Sequence, residues 1–281
     1  MSIVILDRAV GPLPPYADWL RDSGRPLVLL TGRSLAEVPA GDYEQVECLP
    51  GYATSTEADR FVLGLAESTA VAALVATATE DLVRAGALRE CLGVAGQGRD
   101  DALAFADPVT TRRLLAEAGV PAVGREAVNR ISDLYWHAHR WGYPVRVRER
   151  KTSGWPTTAV LRDEADVRAY TRGGLAPDLV SVPALMAEPM TDGERRRLVV
   201  TGGTACGSET PGLAAVVDAA LAALPTTDGC PYLVEAVRDG DGRWLVDTVA
   251  VDIPVDADGD DRRAAVRVQA GLVPDNLEMI R

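Results

Sequence analysis
The chain has 281 residues, 47% hydrophobic and 25% charged, with a formal net charge of −12, enough for one large domain or two to three small ones. Such acidity repels a phosphate backbone, so nucleic acid is not expected as a partner. No apolar run approaches the ~20 residues that span a bilayer, and residues 1–10 lack the basic start, long apolar core and cleavage site of a signal peptide. No membrane partner and a cytoplasmic location are therefore expected.

In chain order, Ser2–Asp7 is an apolar run of the kind buried in a parallel sheet. A helix is expected over 16–22, closed near Ser23-Gly24. Strands are expected over 26–31, 45–49 and 71–76, with a helix over 57–68 between the last two. That alternation predicts an open parallel α/β sheet. A helix over 82–92 precedes a glycine-rich stretch, 93–100, that reads as irregular. The next helix, 107–118, stops at Gly119 with Pro121 just beyond. Another, 132–141, has Ser132 as its candidate N-cap. Strands over 144–148 and 157–161 flank a polar loop, and 163–171 reads as a helix. Strands over 185–190, 197–201, 232–238 and 244–249 alternate as in an antiparallel sheet, and 213–224 is an Ala- and Val-rich helix.

Several chemistries are absent from the sequence. There is no G-x-x-x-x-G-K-[ST], and Gly93, Gly96 and Gly98 do not form G-x-G-x-x-G after a strand. There is no G-x-S-x-G. His137 and His139 stand two apart on a helix and so do not share a face. Cys48, Cys91, Cys206 and Cys230 are scattered without a C-x-x-C pair, which fits reduced thiols. The run Asp256 to Asp260 lacks the glutamate and glycine spacing of a calcium loop and reads as an acidic surface turn.

The informative motifs come later. Ala118-Gly119-Val120-Pro121 closes a helix that Asp107 opens. Tyr143-Pro144-Val145-Arg146-Val147-Arg148 leads into a loop, Glu149 to Pro156, that holds Lys151, the only lysine in the chain. Leu185 to Met190 is followed by Gly193-Glu194, and Glu235 precedes Asp247 by twelve residues across a hairpin. In order and spacing these resemble the ATP-grasp superfamily of carboxylate–amine and thiol ligases, over roughly residues 81–254. The departures are Pro108 where a lysine is usual, a phosphate loop poor in glycine, and Val249 and Val251 in place of an asparagine and an arginine.

The resemblance implies an ATP-grasp fold, α/β plus α+β. An N-terminal open parallel α/β domain would occupy 1–106, a small subdomain with the phosphate loop 107–184, and a C-terminal subdomain with hinge and metal carboxylates 185–281. It implies ATP and Mg²⁺ as cofactors. Arg148 and Lys151 would neutralise the transferred phosphoryl group, with Ser153 and Gly154 closing on the phosphates. Met186, Ala187, Glu188 and Met190 would contact adenine, Glu194 the ribose, and Glu235 and Asp247 the magnesium. The implied activity is joining a small carboxylic acid to an amine through an acyl phosphate, as in specialised biosynthesis, with a homodimer common among relatives. The departures leave open a relative that binds nucleotide or a partner protein without catalysis, or one that phosphorylates something other than a carboxylate.

Overall fold
A computed structural model of the chain describes residues 1–150, 154–172, 185–201, 210, 212–251 and 259–272. The chain opens with β1 (Ser2–Asp7), α1 (Tyr16–Trp19), β2 (Leu27–Thr31), β3 (Gln45–Cys48), α2 (Glu57–Ser68), β4 (Val71–Ala76) and α3 (Thr79–Leu92). The four strands form a parallel sheet in the order β3-β2-β1-β4. Every residue of β1 and β2 is buried, because both faces of the sheet are covered. Val4, Leu6, Val28 and Leu30 pack with Val62 of α2 and Leu82 of α3. Ile3, Ile5, Leu27 and Leu29, one residue out of phase, pack with Tyr16 on the opposite face. The helix expected over 16–22 is shorter: α1 gives way to a 3₁₀ turn, Arg21–Ser23, closed by Gly24 at φ 60°. The tighter turn satisfies the terminal carbonyls within fewer residues.

Next come α4 (Arg99–Ala106), α5 (Pro108–Glu117), β5 (Glu126–Val128), α6 (Ile131–Trp141), β6 (Val145–Glu149), β7 (Thr157–Leu161), α7 (Glu164–Thr171) and β8 (Leu185–Pro189). The glycine-rich stretch is not wholly irregular, since α4 begins at Arg99. A Cβ on Gly86 of α3 would lie 2.6 Å from the carbonyl carbon of Gly98. The glycines therefore serve a close crossing of helix and chain. Asp107 caps α5 with Pro108 in its first position. At the start of α6 the capping carboxylate is Asp133, not the hydroxyl of Ser132, and it accepts from the N–H groups of Asn129 and Arg130 at 2.8 and 2.9 Å. Strands β5, β8, β6 and β7 form an antiparallel sheet in that order. Val145 and Val147 of β6 pack under Leu134 of α6 and Val167 of α7, which leaves Arg146 and Arg148 on the other face.

The last described elements are β9 (Arg195–Val200), α8 (Leu213–Ala223), β10 (Tyr232–Arg238), β11 (Trp244–Ala250) and α9 (Gly259–Gln269). Strands β11-β10-β9 form an antiparallel sheet. One face, with Val200, Val234, Val246 and Val249, packs on α8 and on Phe105, whose ring stacks on Tyr232 at 5.1 Å. Val246 and Val249 both face this core although three apart. The register skips between Glu235↔Thr248 and Ala236↔Val246, so Asp247 is the extra residue of a β-bulge. Residues 252–258, most of the expected acidic turn, lie outside the described residues, and helix α9 starts at Gly259. That helix returns to the parallel sheet: Val266 and Ala270 join its core, and the Gln269 amide bonds both the N–H and the C=O of Ala76, at 2.9 Å each. No helix among the described residues is long and apolar enough to cross a membrane.

Candidate active site
The arginine face of β6 and the polar face of the β9–β11 sheet are opposite walls of a cavity of about 460 Å³. Arg146, Arg148, Gly154 and Trp155 line one side. Arg195, Arg197, Glu235, Asp247 and Thr248 line the other, with Thr79 and Glu80 from the first turn of α3 at a third margin. Strand periodicity places these groups: Leu198 and Val200 of β9 face the core, so Arg195 and Arg197 face the cavity. The bulge at Asp247 turns its carboxylate to the same side as Glu235 and Thr248, which neighbour each other across β10 and β11.

Glu188 organises the first wall. It is 2% exposed and accepts from three guanidinium groups: Arg125 Nε at 2.8 Å, Arg146 Nη1 at 3.1 Å and Arg148 Nη1 at 3.2 Å. A buried carboxylate without such partners would cost several kcal/mol. Arg125, itself 5% exposed, links the two walls. It donates to Asp247 Oδ1 at 2.5 Å and also to the Asp247 carbonyl. It arrives there because the chain after α5 pairs with the edge of β11, with Val123 N–H bonding the Val246 carbonyl at 2.9 Å.

Arg148 also donates to the carbonyls of Trp155 at 2.5 Å and Gly154 at 3.0 Å. Both residues take positive φ, 45° and 69°, which turns their carbonyls back toward β6. Among the described residues three of its five N–H donors are thus engaged. Burial lowers the pKa of this guanidinium, while the Glu188 carboxylate opposes that shift. Arg150, the arginine of the loop itself, is held by Asp107 through a 2.6 Å bond from Nε and a second from Nη2. Burial would raise the Asp107 carboxyl, but bonds from Arg150 and Thr110 carry it below its ordinary range.

Of the residues singled out in the sequence, Arg148, Gly154, Glu235 and Asp247 come together at one cavity. Glu188 backs it through Arg146 and Arg148. Lys151 and Ser153 lie outside the described residues. Met186 and Ala187 lie on β8, the strand that leads into the expected adenine hinge. Both are fully buried on a strand flanked by β5 and β6, so their backbone groups are used within the sheet. Beyond Ala187 the strand leaves β5, and the Met190 N–H bonds the Pro144 carbonyl at 3.2 Å. Glu194 is exposed and paired with Arg196. Val249 and Val251 are buried in the core and offer no ligand.

The sequence reading passed over Arg125, Arg146, Arg195 and Arg197. For Arg146 the signal was present in the Val-Arg-Val-Arg alternation. For Arg195 and Arg197 it lay in starting the strand two residues earlier. Nothing local marks Arg125. Each carboxylate on the second wall meets a guanidinium: Glu235 accepts from Arg197 at 2.8 Å, and Asp247 Oδ2 from Arg195.

No protein-family model and no curated protein sequence matches the chain. Solved structures do match. An L-amino acid ligase from Bacillus licheniformis aligns with a TM-score of 0.69 at 15% identity, covering 91% of this chain and 68% of that one. The biotin carboxylase domain of a 2-oxoglutarate carboxylase from Hydrogenobacter thermophilus, in complex with MgADP, ADP and bicarbonate, aligns with a TM-score of 0.70 at 16% identity, over 96% and 70%. A RimK domain ATP-grasp protein from Sphaerobacter thermophilus aligns with a TM-score of 0.62 at 19% identity, over 97% and 99%. With its parallel sheet and two antiparallel sheets in these relations over nine-tenths of its length, the chain has the ATP-grasp fold.

Proposed function
We propose that the chain is an ATP-dependent ligase that joins a small carboxylic acid to an amine through an acyl phosphate, using Mg²⁺, in a biosynthetic role. The observation that carries this reading is one cavity with Arg146, Arg148, Arg195 and Arg197 beside Glu235 and Asp247. Cations suit a polyphosphate, and the paired carboxylates suit a hard divalent ion. Among the described residues no group of three or more His, Cys, Asp or Glu could hold a metal. Two carboxylates alone match the habit of Mg²⁺, which takes few protein ligands and completes its shell with water and phosphate oxygens. Bound there, the ion would neutralise phosphate charge as it develops.

In this reading Arg148, with Lys151, Ser153 and Gly154 of the following loop, holds the phosphates. The hinge strand, through Met186, Ala187, Glu188 and Met190, takes the base, and Glu194 the ribose. A substrate carboxylate oxygen attacks the terminal phosphorus and ADP leaves. The amine then attacks the acyl carbon and inorganic phosphate leaves. Catalysis is positioning and electrostatics, which requires no nucleophilic side chain. Hydroxylamine trapping tests it: a panel of small acids with Mg-ATP should yield a hydroxamate and ADP for at least one acid, and Glu235→Ala or Asp247→Ala should abolish both. A folded, nucleotide-binding protein that yields neither with any acid would refute the ligase reading. The arginines on Glu235 and Asp247 favour a second reading, nucleotide binding without catalysis, because cations already occupy the carboxylates.

A further inference from the structure
We infer that Arg195 and Arg197 are polyphosphate ligands that stand on the metal carboxylates until a nucleotide arrives, so that metal and nucleotide are admitted together. This rests on the nucleotide site proposed above and adds a coupling between its two ligands. Arg197 is the direct cross-strand partner of Glu235, and Arg195 reaches across to Asp247. Both lie on β9, an edge strand, with side chains 47% and 57% exposed.

Asp247 and Glu235 are only 11% and 30% exposed, but the guanidinium ends are solvated, and ion pairs with a solvated end are weak and exchange readily. Arg125 is different in kind. It is buried, tied to Glu188 and to the Asp247 carbonyl, and is a fixed part of the wall. A divalent ion placed on Glu235 and Asp247 would face three guanidinium charges at ion-pair range, those of Arg125, Arg195 and Arg197. The two exposed arginines are the ones that can leave. The cavity they already line holds Arg146 and Arg148 on its far side, so an anion drawn in by those groups lies within their reach. Metal alone must compete with two arginines. Metal with polyphosphate gives those arginines a new partner. By linkage each ligand then strengthens the other.

The test is Arg195→Met with Arg197→Met, which keeps the aliphatic stems and removes the charges. Free Mn²⁺ is followed by electron paramagnetic resonance, and binding of a non-hydrolysable ATP analogue by calorimetry. Mn²⁺ alone is expected to bind the double variant at least about tenfold more tightly than wild type, and the analogue with Mn²⁺ at least about tenfold more weakly. Each single variant should move both affinities the same way by less, and serves if the double variant does not fold. Lysine at both positions should keep the wild-type pattern. Unchanged or weaker Mn²⁺ binding by the methionine variants, with wild type binding the analogue normally, would overturn the exchange while leaving the ligase reading intact. Wild type that binds no analogue with Mn²⁺ would overturn the nucleotide site, and the exchange with it.

Discussion

Replacing Glu188 by glutamine removes the charge around which the first wall is built and changes little else in shape. The carboxylate is 2% exposed and accepts from Arg125, Arg146 and Arg148. Glutamine keeps one oxygen but presents an NH₂ to a guanidinium, donor against donor. Breaking a buried ion pair from one side typically costs about 3–5 kcal/mol. Arg146 and Arg148 are partly exposed and can regain water, and Arg125 keeps Asp247, so the lower end, about 3 kcal/mol, is expected for Glu188→Gln. Urea unfolding should show a lower midpoint at unchanged slope. Combined with Arg125→Met the loss should fall short of the sum of the two single losses by about 1 kcal/mol or more, since the residues share one network. A Glu188→Gln variant within about 0.5 kcal/mol of wild type, the range of ordinary surface changes, would refute the structural role assigned to this carboxylate.

Three further outcomes follow from the packing and the pairing. Gly193→Ala should lose about 3 kcal/mol or more, or fail to fold, because a Cβ there would lie 1.6 Å from the Arg238 carbonyl oxygen; a wild-type urea midpoint would contradict this. Asp107 has its carboxyl held below the usual range, so its stabilisation is fully present above about pH 4 and is lost as pH falls through the folded-state value. The stability gap between wild type and Asp107→Asn should therefore shrink between pH 6 and pH 3, and a gap that widens in acid would have the wrong sign. Burial pushes the Cys230 thiol up to about 12, while Cys91 is exposed. Alkylation at pH 8 followed by mass spectrometry should mark Cys91 first and Cys230 only on unfolding, and early labelling of Cys230 would contradict its burial.

The elements legible in the sequence are those whose periodicity is enforced by burial. β1 and β2, covered on both faces, read as unbroken apolar runs, and β7 and β10 were legible to the residue. Asp107 and Asp163 marked helix starts because a short carboxylate there satisfies free N–H groups. α4 was missed because its glycine-rich approach looks like a loop, although those glycines permit the contact of Gly86 with Gly98. β5, three residues long, carries too little pattern to see. In the site, Glu235 and Asp247 were visible as lone carboxylates among apolar neighbours. The bulge that aligns them was not, since only pairing with β10 reveals it. Arg125 is 63 residues from Glu188 and 122 from Asp247, and such long-range partners leave no local trace.

The most direct test of the nucleotide site is calorimetric titration of the wild-type protein with a non-hydrolysable ATP analogue, with and without Mg²⁺. Binding at one site per chain that tightens markedly with Mg²⁺, and loses that dependence in Asp247→Asn, is the expected result. A protein that is folded by circular dichroism and takes up no analogue under either condition would contradict the site.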